Sequence, residues 1–220
     1  MLITLEGIEG AGKSSQVQAA VAFVRAAGRA CVATREPGAT DLGRRIRRIL
    51  LDPACAGIDP GAELLLYLAD RVEHVQRVIR PALARGQVVI CDRYVDATLA
   101  YQGAARGLGA ELIERLHAIV LGDWRPGLTL LIDIPVEVGL ARAWGAVDRG
   151  ERSGAETRFE NEDKDFHERV RRGYLDLAAR EPARYCVIDG NRPPGEVARD
   201  IQAAIAGRLH IPCPDRGGNG

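Results

Sequence analysis

The sequence predicts an α/β fold: a five-stranded parallel sheet covered by helices on both faces, with a mobile lid over one edge. Three observations carry that prediction. Short apolar runs alternate with stretches of helical period along the chain, as they do when crossover helices wind a parallel sheet. The strand runs are almost continuously apolar, the mark of strands covered on both faces. Finally, Gly7-Ile8-Glu9-Gly10-Ala11-Gly12-Lys13-Ser14 matches the spacing of a phosphate-binding loop and lies between a strand and a helix.

Leu2 to Glu6 reads as the first strand, and Ser15 to Ala27 as a helix stopped by Gly28. Ala30 to Thr34 is a second strand. Leu42 to Leu51 and Ala62 to Arg85 have helical character, and the loop between them holds Pro53, Gly57, Pro60 and Gly61. Gln87 to Cys91 is the third strand, Gly109 to Leu121 a helix, and Leu128 to Asp133 the fourth strand. Pro135 to Ala143 is helical, but Trp144 to Thr157 is rich in glycine and charge and loses its period. Phe159 to Glu181 reads as a long polar helix, Arg184 to Ile188 as the fifth strand and Gly195 to Leu209 as the last helix. Residues 1–209 are expected to form a single domain with a lid at about 144–158. Residues 210–220 read as a flexible tail.

The chain has 220 residues, with 30 basic and 30 acidic side chains and a formal net charge of zero. That balance argues against a general affinity for nucleic acid or an anionic membrane. The five cysteines are scattered without a C-x-x-C pair, and the four histidines are equally dispersed, so free thiols are expected in place of disulfides or zinc. A first strand at residue 2 leaves no room for a signal peptide, and no apolar run approaches membrane-spanning length. A cytoplasmic protein is expected.

In a loop of this kind the backbone N–H groups wrap the phosphates, the lysine reaches the outer ones and the hydroxyl binds Mg²⁺. Lysine is scarce here, at Lys13 and Lys164 only, which makes its place in the loop telling. In a parallel sheet the site lies at the carboxyl ends of the strands. Glu9, Arg35, Asp92, Arg93 and Asp133 all fall on that edge. Arg35 and Arg93 leave different strands, and guanidinium groups fork onto phosphate oxygens, so they suggest a second anion site facing the first. The competing reading pairs Arg35 with Glu36, and Arg93 with Asp92, at the surface. Arg149 and Arg152 lie in the aperiodic stretch and Arg158 directly after it, and together they suggest a lid that closes over transferring phosphates. The alternative is a solvated loop balanced by Asp148, Glu151 and Glu156.

With these residues in view, the chain resembles the thymidylate kinase family, of the bacterial type whose lid supplies the arginine that the phosphate loop lacks. The matching motifs are Gly7 to Ser15, Thr34-Arg35-Glu36-Pro37-Gly38, Asp92-Arg93-Tyr94, Ala100-Tyr101-Gln102-Gly103 and Arg158-Phe159-Glu160. They run in order over roughly residues 2–205. The resemblance implies the P-loop nucleoside monophosphate kinase fold, transfer of the γ-phosphate of ATP to dTMP to give ADP and dTDP for dTTP synthesis, Mg²⁺ as cofactor, and a homodimer. It implies that Gly7, Ile8, Glu9, Gly10, Ala11, Gly12, Lys13, Ser14 and Ser15 hold ATP, with Arg142 stacked on adenine and Ser14 on the metal. Glu9 would accept a hydrogen bond from the acceptor's 3′-hydroxyl. Tyr67 and Arg71 share one helix face and would stack on the thymine and donate to its carbonyl. Thr98 and Gln102 would lie near the base, with Tyr101 against the sugar; Arg35 and Arg93 would hold the acceptor phosphate.

Read as a plain amphipathic helix, the stretch with Tyr67 would pair Arg71 with Glu63 or Asp70; Glu9, read without the 3′-hydroxyl, would be a solvated side chain. Lys13, Arg93 and a lid arginine form the expected catalytic set, with Arg158 first choice for the lid and Arg149 second. The sequence departs from the family at Tyr67, where phenylalanine is usual, at Ala97 and Leu99, and in the extra Gly150 to Ala155 stretch. A kinase for another acceptor and a nucleotide switch are the competing functions. The aromatic platform speaks against the first, and the lack of Asn-Lys-x-Asp after a late strand speaks against the second.

Overall fold

A computed structural model describes residues 1–122, 124–151 and 153–213. Its strands are β1 (Leu2–Glu6), β2 (Cys31–Arg35), β3 (Val88–Asp92), β4 (Leu128–Asp133) and β5 (Tyr185–Asp189). All pair in parallel, in the order β2-β3-β1-β4-β5. The phosphate loop therefore leaves the central strand. Arg35 stands opposite Asp92, and Leu5 opposite Asp92 on the other side. That register gathers the charged strand ends at one edge.

Every residue of β1 is buried, whereas β2 and β5 alternate with more exposed positions. The continuous apolar pattern thus belongs to the inner strands, and the edges relax it because one side lacks a neighbour. Ile3, Leu5, Ile90 and Leu130 are fully buried, each stabilising the fold by about 1.5–3 kcal/mol. A polar ladder crosses this core. Thr4 meets Thr129 at 3.1 Å, Thr129 donates to Asp96 at 3.0 Å, and Arg184 donates to both Asp96 oxygens at 2.7 and 3.0 Å. Every buried charge in it is therefore paired.

Around the sheet lie α1 (Lys13–Ala26), α2 (Asp41–Leu51), α3 (Pro60–His74), α4 (Arg80–Ala84), α5 (Val95–Thr98), α6 (Ala110–Leu121), α7 (Val136–Asp148), α8 (Lys164–Arg180) and α9 (Pro194–Leu209). α1 and α9 pack together, and α8 packs on the turns that follow α5. Among the described residues no helix is long and apolar enough to cross a membrane.

Several boundaries differ from expectation. α1 begins at Lys13, two residues early, because Gly12 takes the left-handed conformation at φ 85° and opens the helix there. The expected helix from Ala62 to Arg85 starts at Pro60, capped by Asp59, and widens into a π turn at Val75–Ile79 before α4. The wider turn accommodates Pro81, which has no amide hydrogen to donate. α7 continues to Asp148, into the stretch expected to be lid, and Gly154–Glu156 adds a short 3₁₀ turn. α8 starts at Lys164, not Phe159, since Asp163 caps it by accepting from the Phe166 amide at 2.6 Å. The helical segment Val95–Ala105, π-wound from Leu99, falls where no helix had been placed. The tail is described only to residue 213.

Candidate active site

The loop's shape follows from its glycines. A Cβ on Gly7 would stand 2.5 Å from the Ile132 carbonyl oxygen, and one on Gly10 only 2.0 Å from that of Gly139. Both also have positive φ. The loop is thus pressed against the end of β4 and the start of α7 by contacts that no other residue permits. Lys13 is buried, and its amine donates to the Gly7 and Ile8 carbonyls at 2.9 and 2.7 Å. Burial, with the Arg93 charge adding, lowers its pKa to about 8. Ser14 donates to Asp92 Oδ2 at 3.0 Å. A hydroxyl and a carboxylate side by side are hard oxygen donors that suit Mg²⁺ shared with phosphates and water. Among the described residues no cluster of three or more His, Cys, Asp or Glu forms a metal cage. The sequence gives Asp92 no role toward a metal; its place at the end of the strand beside β1 is the available signal.

A cavity of about 660 Å³ opens in front of the loop, a size suited to small ligands. Arg93 is fixed at its wall. It is a non-glycine residue at φ 68°, a conformation that costs about 1–3 kcal/mol and collects at functional sites. That turn lets its guanidinium donate to the Gly7 carbonyl at 2.8 Å and to Glu9 Oε1 at 3.0 Å, 5.1 Å above the Tyr101 ring. Asp92 bonds Ser14, so the surface pair Asp92–Arg93 does not form. The Tyr101 hydroxyl also donates to Glu9 Oε1, at 2.5 Å. Glu9 is therefore no solvated side chain. Burial opposes its ionisation, yet His167, Arg93 and Lys13 more than offset this and hold its carboxyl well below the usual range.

A second cluster surrounds Arg71. This arginine is 1% exposed, and its Nε donates to Glu36 Oε2 at 2.8 Å while Nη2 donates to Thr98 Oγ1 at 2.8 Å. Glu36 also meets His74 Nδ1 at 2.8 Å. Burial resists the Glu36 charge, but Arg71 and His74 prevail and lower its pKa. Arg71 is paired with neither Glu63 nor Asp70, the local partners considered from spacing. Its Nη1 is buried without a hydrogen-bond partner and the side chain lines the cavity. That leaves a donor for a bound carbonyl. Tyr67, one turn earlier on α3, lines the same cavity, and burial together with Glu63 raises its phenol above the usual value. Gln102 also lines it but spends its amide on Glu63 at 2.7 Å. Arg35 is exposed at the cavity and has no ion-pair partner among the described residues; Glu36 is occupied elsewhere.

The lid arginines separate. Arg158, the first choice, is 3% exposed and does not line the cavity. Its Nη2 lies 2.6 Å from Glu63 Oε2, its Nε donates to the Leu50 carbonyl, and its guanidinium sits 4.4 Å from the Phe159 ring. Those bonds brace α2 against α3, so the structure does not bring it to the phosphates. Arg149, at the end of α7, is exposed at the cavity and bridges Glu151 at 2.7 and 3.0 Å. Arg142 is also at the cavity and donates to the Gly190 carbonyl at 3.1 Å. Arg192 and Arg47, missed by the sequence reading, line it too. Arg47 is held by Glu156 at 2.7 Å. Arg152 lies outside the described residues. Asp133 is engaged by Arg171 at 2.7 and 2.9 Å.

Comparison with known proteins gives one consistent result. Residues 5–201 match the family model described as thymidylate kinase. The thymidylate kinase of Desulfosudis oleivorans is 54% identical over 205 residues, covering 93% of this chain and 96% of that one. That of Deinococcus radiodurans is 50% identical over 210 residues, covering 96% and 98%. The crystal structure of thymidylate kinase from Ehrlichia chaffeensis has a TM-score of 0.73 at 32% identity, covering 93% of this chain and 98% of that chain.

Proposed function

The chain belongs to the thymidylate kinase family, and from that premise we propose that its cavity transfers the γ-phosphate of ATP to dTMP, giving ADP and dTDP. The observation that carries the reading is a single cavity lined both by the phosphate loop and by Tyr67 and Arg71, whose Nη1 is buried without a hydrogen-bond partner. A phosphate oxygen of dTMP attacks the γ-phosphorus, and the bond to the β–γ bridging oxygen breaks, leaving its electron pair on ADP. The attacking oxygen is already ionised, so no side chain removes a proton. What remains is to bring two anions together in line.

Lys13 and the loop amides hold the donor phosphates, and Arg142 lies against the adenine. Ser14 and Asp92 would hold Mg²⁺, which when bound neutralises charge on the β- and γ-phosphates. Arg93 and Arg35 hold the acceptor phosphate. Glu9 takes the 3′-hydroxyl, Tyr101 packs against the sugar, and Tyr67 stacks on the base while Arg71 Nη1 donates to its carbonyl. Thr98 and Gln102 complete the wall. Arg149 takes the lid role in place of Arg158. Residues 1–209 act as one catalytic unit, with the segment at 144–158 as its closing part.

A homodimer and a cytoplasmic location complete the proposal. Exposed Leu65 on α3 and Leu112, Ile119 and Val120 on α6 support the first, as apolar side chains that association would cover. Free cysteines support the second. The test is turnover with ATP and a panel of dTMP, dUMP, UMP and CMP. Preference for dTMP is expected; faster phosphorylation of UMP or CMP would overturn the reading.

A further inference from the structure

Behind Glu9 lies a buried imidazole with no part in the transfer. His167, on α8, is fully buried, and neither ring nitrogen has a hydrogen-bond partner among the described residues. Its Nδ1 stands 3.4 Å from Glu9 Oε2. That oxygen is also buried and without a hydrogen bond, while Oε1 accepts from both Tyr101 and Arg93. A buried polar group left without a partner destabilises the fold. A ring N–H and a carboxylate oxygen are complementary, and their separation is only slightly longer than a made bond. Such contacts in ligand-free sites are often long and tighten on loading. The Phe166 ring packs edge-on against His167 at 5.6 Å, and α8 packs on the 99–105 segment that carries Tyr101. The imidazole is thus held in place from its own helix while the outer carboxylate oxygen is held from the neighbouring one.

We propose that His167 is a positioning residue that grips the inner oxygen of Glu9 and so makes the site selective for an acceptor with a 3′-hydroxyl. The proposal rests on the reading of Glu9 as the partner of that hydroxyl. His167 does not line the cavity; it acts through Glu9. Without it, one carboxylate oxygen is buried with nothing to hold it, and the group is free to turn toward the Lys13 and Arg93 charges.

The experiment compares dTMP with its 3′-deoxy analogue in the parent protein, in His167→Phe and in His167→Asn. The phenylalanine variant is expected to lose about tenfold in kcat/KM for dTMP, mainly through KM for dTMP, with KM for ATP within about twofold of the parent. The 3′-deoxy analogue, which makes no bond to Glu9, should lose less than about threefold. His167→Asn, which keeps an N–H near the Nδ1 position, should restore most of the selectivity. His167→Leu replaces the phenylalanine variant if that one does not fold. Equal losses for the two acceptors, or selectivity unchanged in the apolar variant, would overturn the role of His167. A parent protein that uses both acceptors equally well would instead overturn the Glu9 reading, and the proposal with it.

Discussion

The two halves of the cavity are built in opposite ways. Around the proposed sites for the acceptor's base and sugar, charges are buried and already bonded: Arg71 to Glu36 and Thr98, Arg93 to Glu9 and the Gly7 carbonyl, with Arg35 alone exposed among the proposed acceptor arginines. Around the proposed donor site, Arg142 and Arg149 are exposed, while Lys13 is buried and donates to two loop carbonyls that a phosphate would replace. On the proposed reading, the bonds that hold Arg71 and Glu9 are made during folding, so the base and sugar end of the pocket is largely built before dTMP arrives. On the same reading, the donor clamps exchange partners as the phosphates bind. The proposal therefore assigns specificity for the base to the rigid half and rate to the half that rearranges.

The sharpest way to break this contrast is to remove the two lid arginines separately. Arg149→Ala is expected to lower kcat by about 10²–10³ with the melting temperature unchanged. Arg158→Ala should instead destabilise the fold, by about 3–5 kcal/mol, because it leaves Glu63 buried without that partner; its kcat at a temperature where it is folded should stay near the parent value. Stopped-flow turnover and thermal melting on both variants decide the matter, and the reverse pattern would restore Arg158 to the phosphates. Next in size is Arg71→Met. It should cost about 10² in kcat/KM for dTMP, carried by KM, and spare KM for ATP. Comparable losses for both substrates would erase the division between the halves.

The smallest effect is a pH dependence. Lys13 in the free protein titrates at about 8, lowered chiefly by burial, and bound phosphates favour its charged form. ATP affinity should be fully present below that pH. It should fall as pH rises through it, by up to about tenfold per unit, with proton uptake on binding. Calorimetry in buffers of different ionisation enthalpy measures the uptake. Affinity that is flat across this range would mean that the amine does not meet the phosphates.

The sheet and its loop were legible in the sequence because they rest on local signals. Strand runs and the glycine spacing need no knowledge of tertiary contacts, and β2, β3 and β5 began within one residue of expectation. The Val95–Ala105 segment was not legible. Asp96, Thr98 and Gly103 break its apolar period, and packing on α8 makes it helical. The same limit governs the site. Spacing suggested Glu63 or Asp70 for Arg71, yet its partner Glu36 is thirty-five residues away. Arg158 sits in a charged, glycine-rich stretch that reads as solvated, and only the fold reveals the buried Glu63 waiting for it. Which residues carry charge was evident; which of them are spent on one another was not.

Calorimetric titration of dTMP into the ATP-free protein tests the prebuilt acceptor pocket most directly. Binding without ATP, much tighter for dTMP than for UMP and lost in Arg71→Met, is the expected result. Binding that appears only once ATP is present, or that is indifferent to Arg71, would contradict it.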